Sequence, residues 1–307
     1  MVAVPDYQTL MAPTLRALAD GAEQPISQLR GVIAEQLGLT DEDLKATLPS
    51  GSRLFVNRLH WTITYLYQAG LVRRPRRAVV QITSRGLEVL AAHPDRVDNS
   101  VLLQYEEFIE FQSRTRGDAA RAGAEAQEST GPAETTPVET IAKAVAEANS
   151  AVAAEVLERV QEREPVFLEQ LVLNVLTALG YRGAAGSAEH LGRSGDNGLD
   201  GVIRQDPLGL DQIYVQAKRY AAGHTVGRPE IQGFVGALHG AQADRGVFIT
   251  TSSFTNEATT YADRVAARVV LIDGIALAQL MVTHNIGVQD RETYVIKRVD
   301  EDFFEET

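Results

Sequence analysis

The sequence predicts two domains in tandem. The first is mainly helical and carries an arginine-rich hairpin, and the second is an α/β fold in which a mixed sheet is flanked by helices. Three observations predict this. In residues 7–112, helical periodicity is interrupted once by a strand, a run of arginines and a second strand. Residues 112–137 contain no Val, Ile, Leu, Met, Phe, Trp or Tyr, so they cannot contribute to a core and separate two that can. Beyond residue 200, short apolar strands alternate with helical segments, the pattern of a helix-covered sheet.

In the first domain, residues 7–19 and 26–37 have helical periodicity. Thr40 with Asp43 three positions on opens a further helix as a capping box in which Asp replaces the usual Glu. Residues 52–69 form the next helix, stopped by Gly70. Its apolar stripe is Phe55, Leu59, Ile63 and Leu66, which turns Arg53, Asn57, Trp61 and Thr64 to the opposite face. Strands 71–72 and 78–82 follow, joined by Arg73, Arg74, Pro75, Arg76 and Arg77, and Ser84-Arg85-Gly86 starts a last helix. Helices followed by a basic hairpin make a winged helix-turn-helix, whose helix meets base edges and whose wing meets phosphate. The candidate DNA contacts are Arg53, Asn57 and Arg58 on the helix and Arg73, Arg74, Arg76 and Arg77 on the wing. The structural alternative is a solvated basic hairpin beside an ordinary helix. Trp61 either stacks on a base or packs against a neighbouring domain.

The formal net charge of −12 argues against a polyanionic partner when taken whole. Its distribution reverses that reading, because residues 51–87 hold no Asp, Glu or Lys and several arginines. The acidic excess lies elsewhere, including the tail from Asp300. At 307 residues the chain suits two domains. It has no uninterrupted apolar run long enough to span a membrane and no signal-peptide layout at its start, so a cytoplasmic location without membrane association is the expectation. Without cysteine there are no disulfides, thiolate metal sites or cysteine nucleophiles. The six histidines lack metal-ligand spacing, and His190 and His224, beside the motif described next, either touch DNA or, preferably, are simply exposed loop residues. There is no GxxxxGK phosphate loop and no Gly-x-Ser-x-Gly elbow.

After the apolar-poor stretch, a helix begins at Val138. Val138, Ile141, Val145, Ala148 and Val152 keep a three-four spacing, which suits a dimer seam or, preferably, a helix docked on the second domain. The most informative run is 195–220. As a strand, Ile213, Val215 and Ala217 face one way and Tyr214, Gln216 and Lys218 the other. Asp200 precedes it on a paired strand, beside Gly198 and Gly201, which allow close backbone approach. The turn Asp206-Pro207-Leu208-Gly209 lies between them. Asp200 supplies a carboxylate, Gln216 an amide oxygen and Ala217 a backbone carbonyl for a hard cation such as Mg²⁺. Lys218 then orients or activates water, or stabilises charge on phosphate. A polar hairpin with a surface lysine is the plain alternative. Helix 229–243, strand 246–250, helix 255–266, strand 269–272 and helix 275–284 complete the domain, with Ser252, Ser253 and Thr255 read as capping residues in preference to a phosphate site at a helix N-terminus.

The run LGRSGDNGLDGVI, then LGLDQIYVQAKRY, VGRPEIQGFVGAL and GVFITTSSFT, resembles the Mrr family of restriction endonucleases, within the PD-(D/E)XK nuclease superfamily. The segment YLYQAGLVRRPRRAVVQITSRGLEVL is similar to that family's N-terminal domain. The resemblance implies that Asp200 is the metal-binding acid, Gln216 stands where most of the superfamily has Glu or Asp, and Lys218 is the motif lysine. It adds Glu169 on the preceding helix as a further catalytic acid, with Gln232 and Asp196 in support. It also implies Mg²⁺, with Mn²⁺ as a substitute, and double-stranded, methylated DNA as substrate. Cleavage of both strands implies a homodimer or higher homo-oligomer. The neutral Gln216 implies weak metal affinity without DNA. Asn197, where the family commonly has Gly, can adopt left-handed geometry and leaves the motif intact. The expected organisation is 1–112 winged helix, 113–137 linker, 138–164 connecting helix, 165–290 catalytic domain and 291–307 acidic tail. A non-cleaving DNA-binding regulator and a structure-specific repair nuclease are the alternatives.

Overall fold

The computed structural model describes residues 4–121, 134–181, 187–191, 199–221, 223–300 and 303. The chain divides into two compact units, 1–146 with 297–307, and 147–296. The expectations placed on Asp196, Asn197 and Gly198 lie outside the described residues.

In the first unit, helices α1 (Met11–Ala17), α2 (Ile26–Gln36), α3 (Asp41–Lys45) and α4 (Leu54–Gln68) precede the hairpin. The predicted capping box at Thr40 and Asp43 is present, with both reciprocal bonds. All four residues of the predicted α4 stripe are buried at 0–2% exposure, so one face of this helix carries the core. Gly70 ends the helix with φ 71, a left-handed value that L side chains avoid. Strands β2 (Val72–Arg73) and β3 (Val79–Ile82) pair antiparallel around the arginine-rich connection. A strand not foreseen, β1 (Gln24–Pro25), pairs with the other edge of β3. Helix α5 (Ser84–Ala92) is capped by Thr83, which accepts from Gly86 N.

This unit extends further than expected. Two more helices follow α5, namely α6 (Asn99–Leu102) and α7 (Glu106–Arg121). Phe108 of α7 is fully buried and meets Tyr65 edge-on at 5.6 Å. The first part of the stretch expected to be linker is therefore helical, because Ala and Arg favour helix without apolar residues.

Helix α8 (Pro137–Gln161) crosses the division between the units. Its C-terminal turns bury Val156 and Val160 in the second unit's core, as a docked helix should. The predicted stripe does not dock, since Ile141, Val145 and Val152 stay exposed.

The second unit is built on a five-stranded sheet in the order β10-β8-β6-β5-β4. The strands are β4 (Ser187–His190), β5 (Gly201–Arg204), β6 (Gln212–Lys218), β8 (Arg245–Thr250) and β10 (Arg268–Ile272), and the short pair β7 (Thr225–Val226) and β9 (Ser253–Phe254) lies apart. β5 pairs antiparallel with both β4 and β6, whereas β6, β8 and β10 are parallel, so the sheet is mixed. Helices α9 (Pro165–Ala178) and α12 (Gly274–Thr283) share one core with Ile213, Val215 and Ala217. Helices α10 (Arg228–Gly240) and α11 (Asn256–Arg264) contribute to another, packed around Phe234 and Phe248 with Tyr214 at its edge. The period-two reading of β6 is thus realised, with a different core on each face.

Candidate active site

Asp200 sits just before β5 and is locked to β6 from two sides. Its backbone N–H donates to Val215 O at 2.8 Å, and its Oδ2 accepts from Ala217 N at 2.7 Å. The peptides flanking Gln216 are therefore both bonded to one residue. Gly201, next in the chain, lets α9 pack close, since a Cβ there would lie 2.9 Å from Leu173 of α9. Ala217 meets Asp200 through its amide N–H, a bond that does not involve the carbonyl expected to face a cation.

The surroundings raise the pKa of Asp200 above the ordinary 3.8. Burial is the largest cause. The neighbouring Glu169 pushes in the same direction, and the Ala217 bond, Lys218 and His190 oppose it. Glu169 projects from α9 and its Oε2 lies 2.5 Å from His190 Nε2. His190 stands at the end of β4, directly opposite Gly201 in the antiparallel register. Lys218 ends β6, and its carbonyl accepts from Thr250 Oγ1 at 2.9 Å. Gln216 is buried on the Lys218 face, two positions before it.

The structure thus gathers Asp200, Glu169 and Lys218 around the end of β6 and adds His190, which lies in a strand rather than the expected loop and bonds Glu169. Its signal was weak, because β4 is exposed along its whole length and shows no apolar alternation. Gln232 lies exposed on α10. Ser252 donates to His224 O, and Thr255 caps α11 by accepting from Ala258 N, as foreseen for a capping residue.

The donor set suits a hard divalent cation. A desolvated carboxylate whose pKa is raised partly by a second carboxylate is short of positive charge. Mg²⁺ requires only one or two carboxylates, completing its shell with water and substrate oxygen. Among the described residues, no three His, Cys, Asp or Glu side chains converge on a potential metal site. A cation here would therefore depend on neutral oxygen donors as well.

In the first unit, Arg53 and the hairpin residues Arg73, Arg74, Arg76 and Arg77 are exposed. Arg74 is steadied by Thr64 at 3.2 Å and lies over the Tyr67 ring at 5.0 Å. Arg76 pairs with Glu23 at 3.2 Å. The expectation that Asn57 and Arg58 stand open on the same face is not met. Arg58 donates from Nε and Nη2 to the two oxygens of Glu139 at 3.0 and 2.9 Å, and from Nη1 to Val4 O at 2.7 Å. Asn57 Oδ1 accepts from Thr136 Oγ1 at 2.7 Å. The side chains of Arg58 and Glu139 are 16% and 8% exposed. Trp61 is half-buried. It packs against its own unit's core, edge-on to Tyr65 at 5.7 Å.

Comparison with known proteins follows the same division. Residues 160–281 match the Mrr_cat restriction endonuclease family, and residues 7–92 match the Mrr N-terminal domain. The chain is 38% identical over 306 residues to the Type IV methyl-directed restriction enzyme EcoKMrr of Escherichia coli (strain K12), covering 98% of this chain and 99% of that protein. Two solved structures are similar in part. The DNA modification-dependent restriction endonuclease AspBHI aligns with a TM-score of 0.38 and 18% identity over 46% of this chain and 36% of that chain. The MspJI restriction endonuclease in complex with a 27-mer oligonucleotide aligns with a TM-score of 0.33 and 24% identity over 52% of this chain and 35% of that chain.

Proposed function

Since the chain belongs to the Mrr family of restriction endonucleases, we propose that it hydrolyses phosphodiester bonds of methylated double-stranded DNA, restricting foreign DNA in the cytoplasm. The observation that carries this reading is the Asp200 carboxylate, desolvated and beside a second carboxylate, with Lys218 close enough to oppose the rise in its pKa. Such frustrated charge in a site costs stability and is kept for chemistry.

Asp200 and the Gln216 amide oxygen would hold Mg²⁺, or Mn²⁺ in its place. When bound, the cation would polarise the scissile phosphate and lower the pKa of a water. The Lys218 ammonium neutralises charge developing on the phosphate and orients the attacking water. Its carbonyl bond to Thr250 fixes the strand end from which it reaches. Glu169, held by His190, supplies the negative charge that Gln216 lacks. Because Gln216 is neutral where most of the superfamily has Glu or Asp, metal affinity without DNA is low, and titration calorimetry showing tight Mg²⁺ binding to the free protein would contradict this.

Arg53, Arg73, Arg74, Arg76 and Arg77 meet the phosphate backbone, and Asn57 and Arg58 join them only if Glu139 and Thr136 let go. Gln232 and Asp196 are assigned supporting roles. Cutting both strands takes two active sites, so the working form is a homodimer or a higher homo-oligomer, for which Ile141, Val145 and Val152 offer an exposed apolar seam. The test is digestion of otherwise identical plasmids, methylated and unmethylated, with and without Mg²⁺. Mg²⁺-dependent cutting confined to the methylated plasmid is expected, and intact DNA under every condition refutes the assignment.

A further inference from the structure

A groove in the first unit, between α2, α4 and the β2–β3 hairpin, takes no part in the catalytic reading. Its inner part encloses about 240 Å³ and is walled by Ile26, Val56, Leu59, Ile63 and Val79. Its outer part encloses about 500 Å³ and opens past Ser52, Arg53 and Asn57. Both parts share Arg30, Val56 and His60, so they form one continuous recess.

Two polar groups stand within it. Arg30 Nε is buried and has no hydrogen-bond partner, although buried donors are almost always satisfied. His60 keeps one edge in water, while burial of the rest, and secondarily the charge of Arg74, lower its pKa from 6.5. It is therefore a neutral ring near pH 7, able to donate from one nitrogen and accept at the other. Arg53 and Arg74 line the recess as well, and no acidic residue occurs between positions 51 and 87.

Apolar walls, an orphaned cationic donor, a ring of dual hydrogen-bonding capacity and a basic rim together describe a flat ligand. Its faces are hydrophobic, its edge carries acceptors and its attachment is anionic. A nucleobase on its phosphodiester backbone has all of these properties. We propose that this groove receives one base extruded from the substrate duplex, with Arg30 and His60 meeting its polar edge and the apolar wall reading its methyl group. This rests on methylated DNA being the substrate. It separates recognition of the mark from the chemistry, which lies in the other unit.

The test uses the full-length protein without divalent metal, so that DNA stays intact. Duplexes carry 2-aminopurine beside the target base, methylated or not. Binding is followed by anisotropy and base unstacking by 2-aminopurine fluorescence. The wild type should prefer methylated DNA and brighten the probe. Arg30→Ala and the charge-preserving Arg30→Lys should each reduce the methylated-to-unmethylated preference by about tenfold or more. Affinity for unmethylated DNA should change less than about threefold, and circular dichroism should match the wild type. Val56→Phe, which fills the groove, should abolish the brightening. Affinities for both duplexes that fall together in Arg30→Ala would make Arg30 a plain phosphate contact and overturn the proposal. Discrimination without brightening would place the methyl in the intact groove of the helix and also overturn it. A wild type that discriminates while every variant does so equally removes the groove alone. A wild type that binds both duplexes alike removes the methylation reading and the proposal with it.

Discussion

Two shielded carboxylates, one in each unit, have opposite surroundings. Glu139 is more shielded from water than Asp200, yet both of its oxygens are met by the Arg58 guanidinium, and Val4 O takes up a further Arg58 donor. Asp200 receives one backbone N–H, has Glu169 as a neighbour, and its pKa rises. A shielded charge that is fully paired serves the fold. A shielded charge left beside its own sign costs the fold something and marks where a positively charged ligand belongs. The contrast also bears on the expected DNA contacts, since Arg58 has the type of a phosphate ligand and is held here by a carboxylate.

The largest effect that could break this comparison is on Arg58. Arg58→Ala strands Glu139 and should destabilise the first unit by about 3–5 kcal/mol in denaturant melts, with much of the loss recovered in the Arg58→Ala/Glu139→Ala double variant. A loss below about 1 kcal/mol would show that the pair is a surface contact after all. Next comes Lys218→Ala, which should slow cleavage by at least about a hundredfold while leaving DNA affinity unchanged. A normal cleavage rate would remove Lys218 from the reaction. Thr136→Ala removes the hydroxyl that accepts from Glu139 N at 3.3 Å and donates to Asn57, and should cost about 1 kcal/mol. The smallest effect is a pH dependence with a definite sign. The folded pKa of Asp200 is raised above 3.8, so its contribution to stability is intact below that value and is lost as pH climbs through the folded pKa. Thermal melts of metal-free protein should show this decline, and Asp200→Asn should flatten it. An equal slope in the variant would assign the titration to other groups.

What the sequence made legible is whatever a single strand or helix encodes by its own period. β6 alternates because it separates two cores, and the α4 stripe recurs because one core lies under one face. The elements that escaped lack such a period. β4 is held by backbone bonds to β5, and its four side chains are all exposed, so no apolar pattern announces it. α7 is anchored by Phe108 but continues into a segment with nothing to bury, where helix propensity suffices. The site's companions were hidden for another reason. His190 is 21 positions from Glu169, and Arg58 is 81 from Glu139, separations that no local pattern reports. The candidate acids and lysine could be read from a motif, whereas the partners that set their charge state could be read only from the folded chain.

The position of β6 has one more consequence. It lies in the interior of the sheet, between β5 and β8, and both bonds to Asp200 come from its backbone. Such a strand opens only when the whole unit does, on the slow timescale of global unfolding rather than that of loop motion. The backbone that fixes Asp200 is therefore in place whether or not DNA is present. If Asp200 works as proposed, control acts on the delivery of a phosphodiester, because β6 needs no rearrangement to hold that residue.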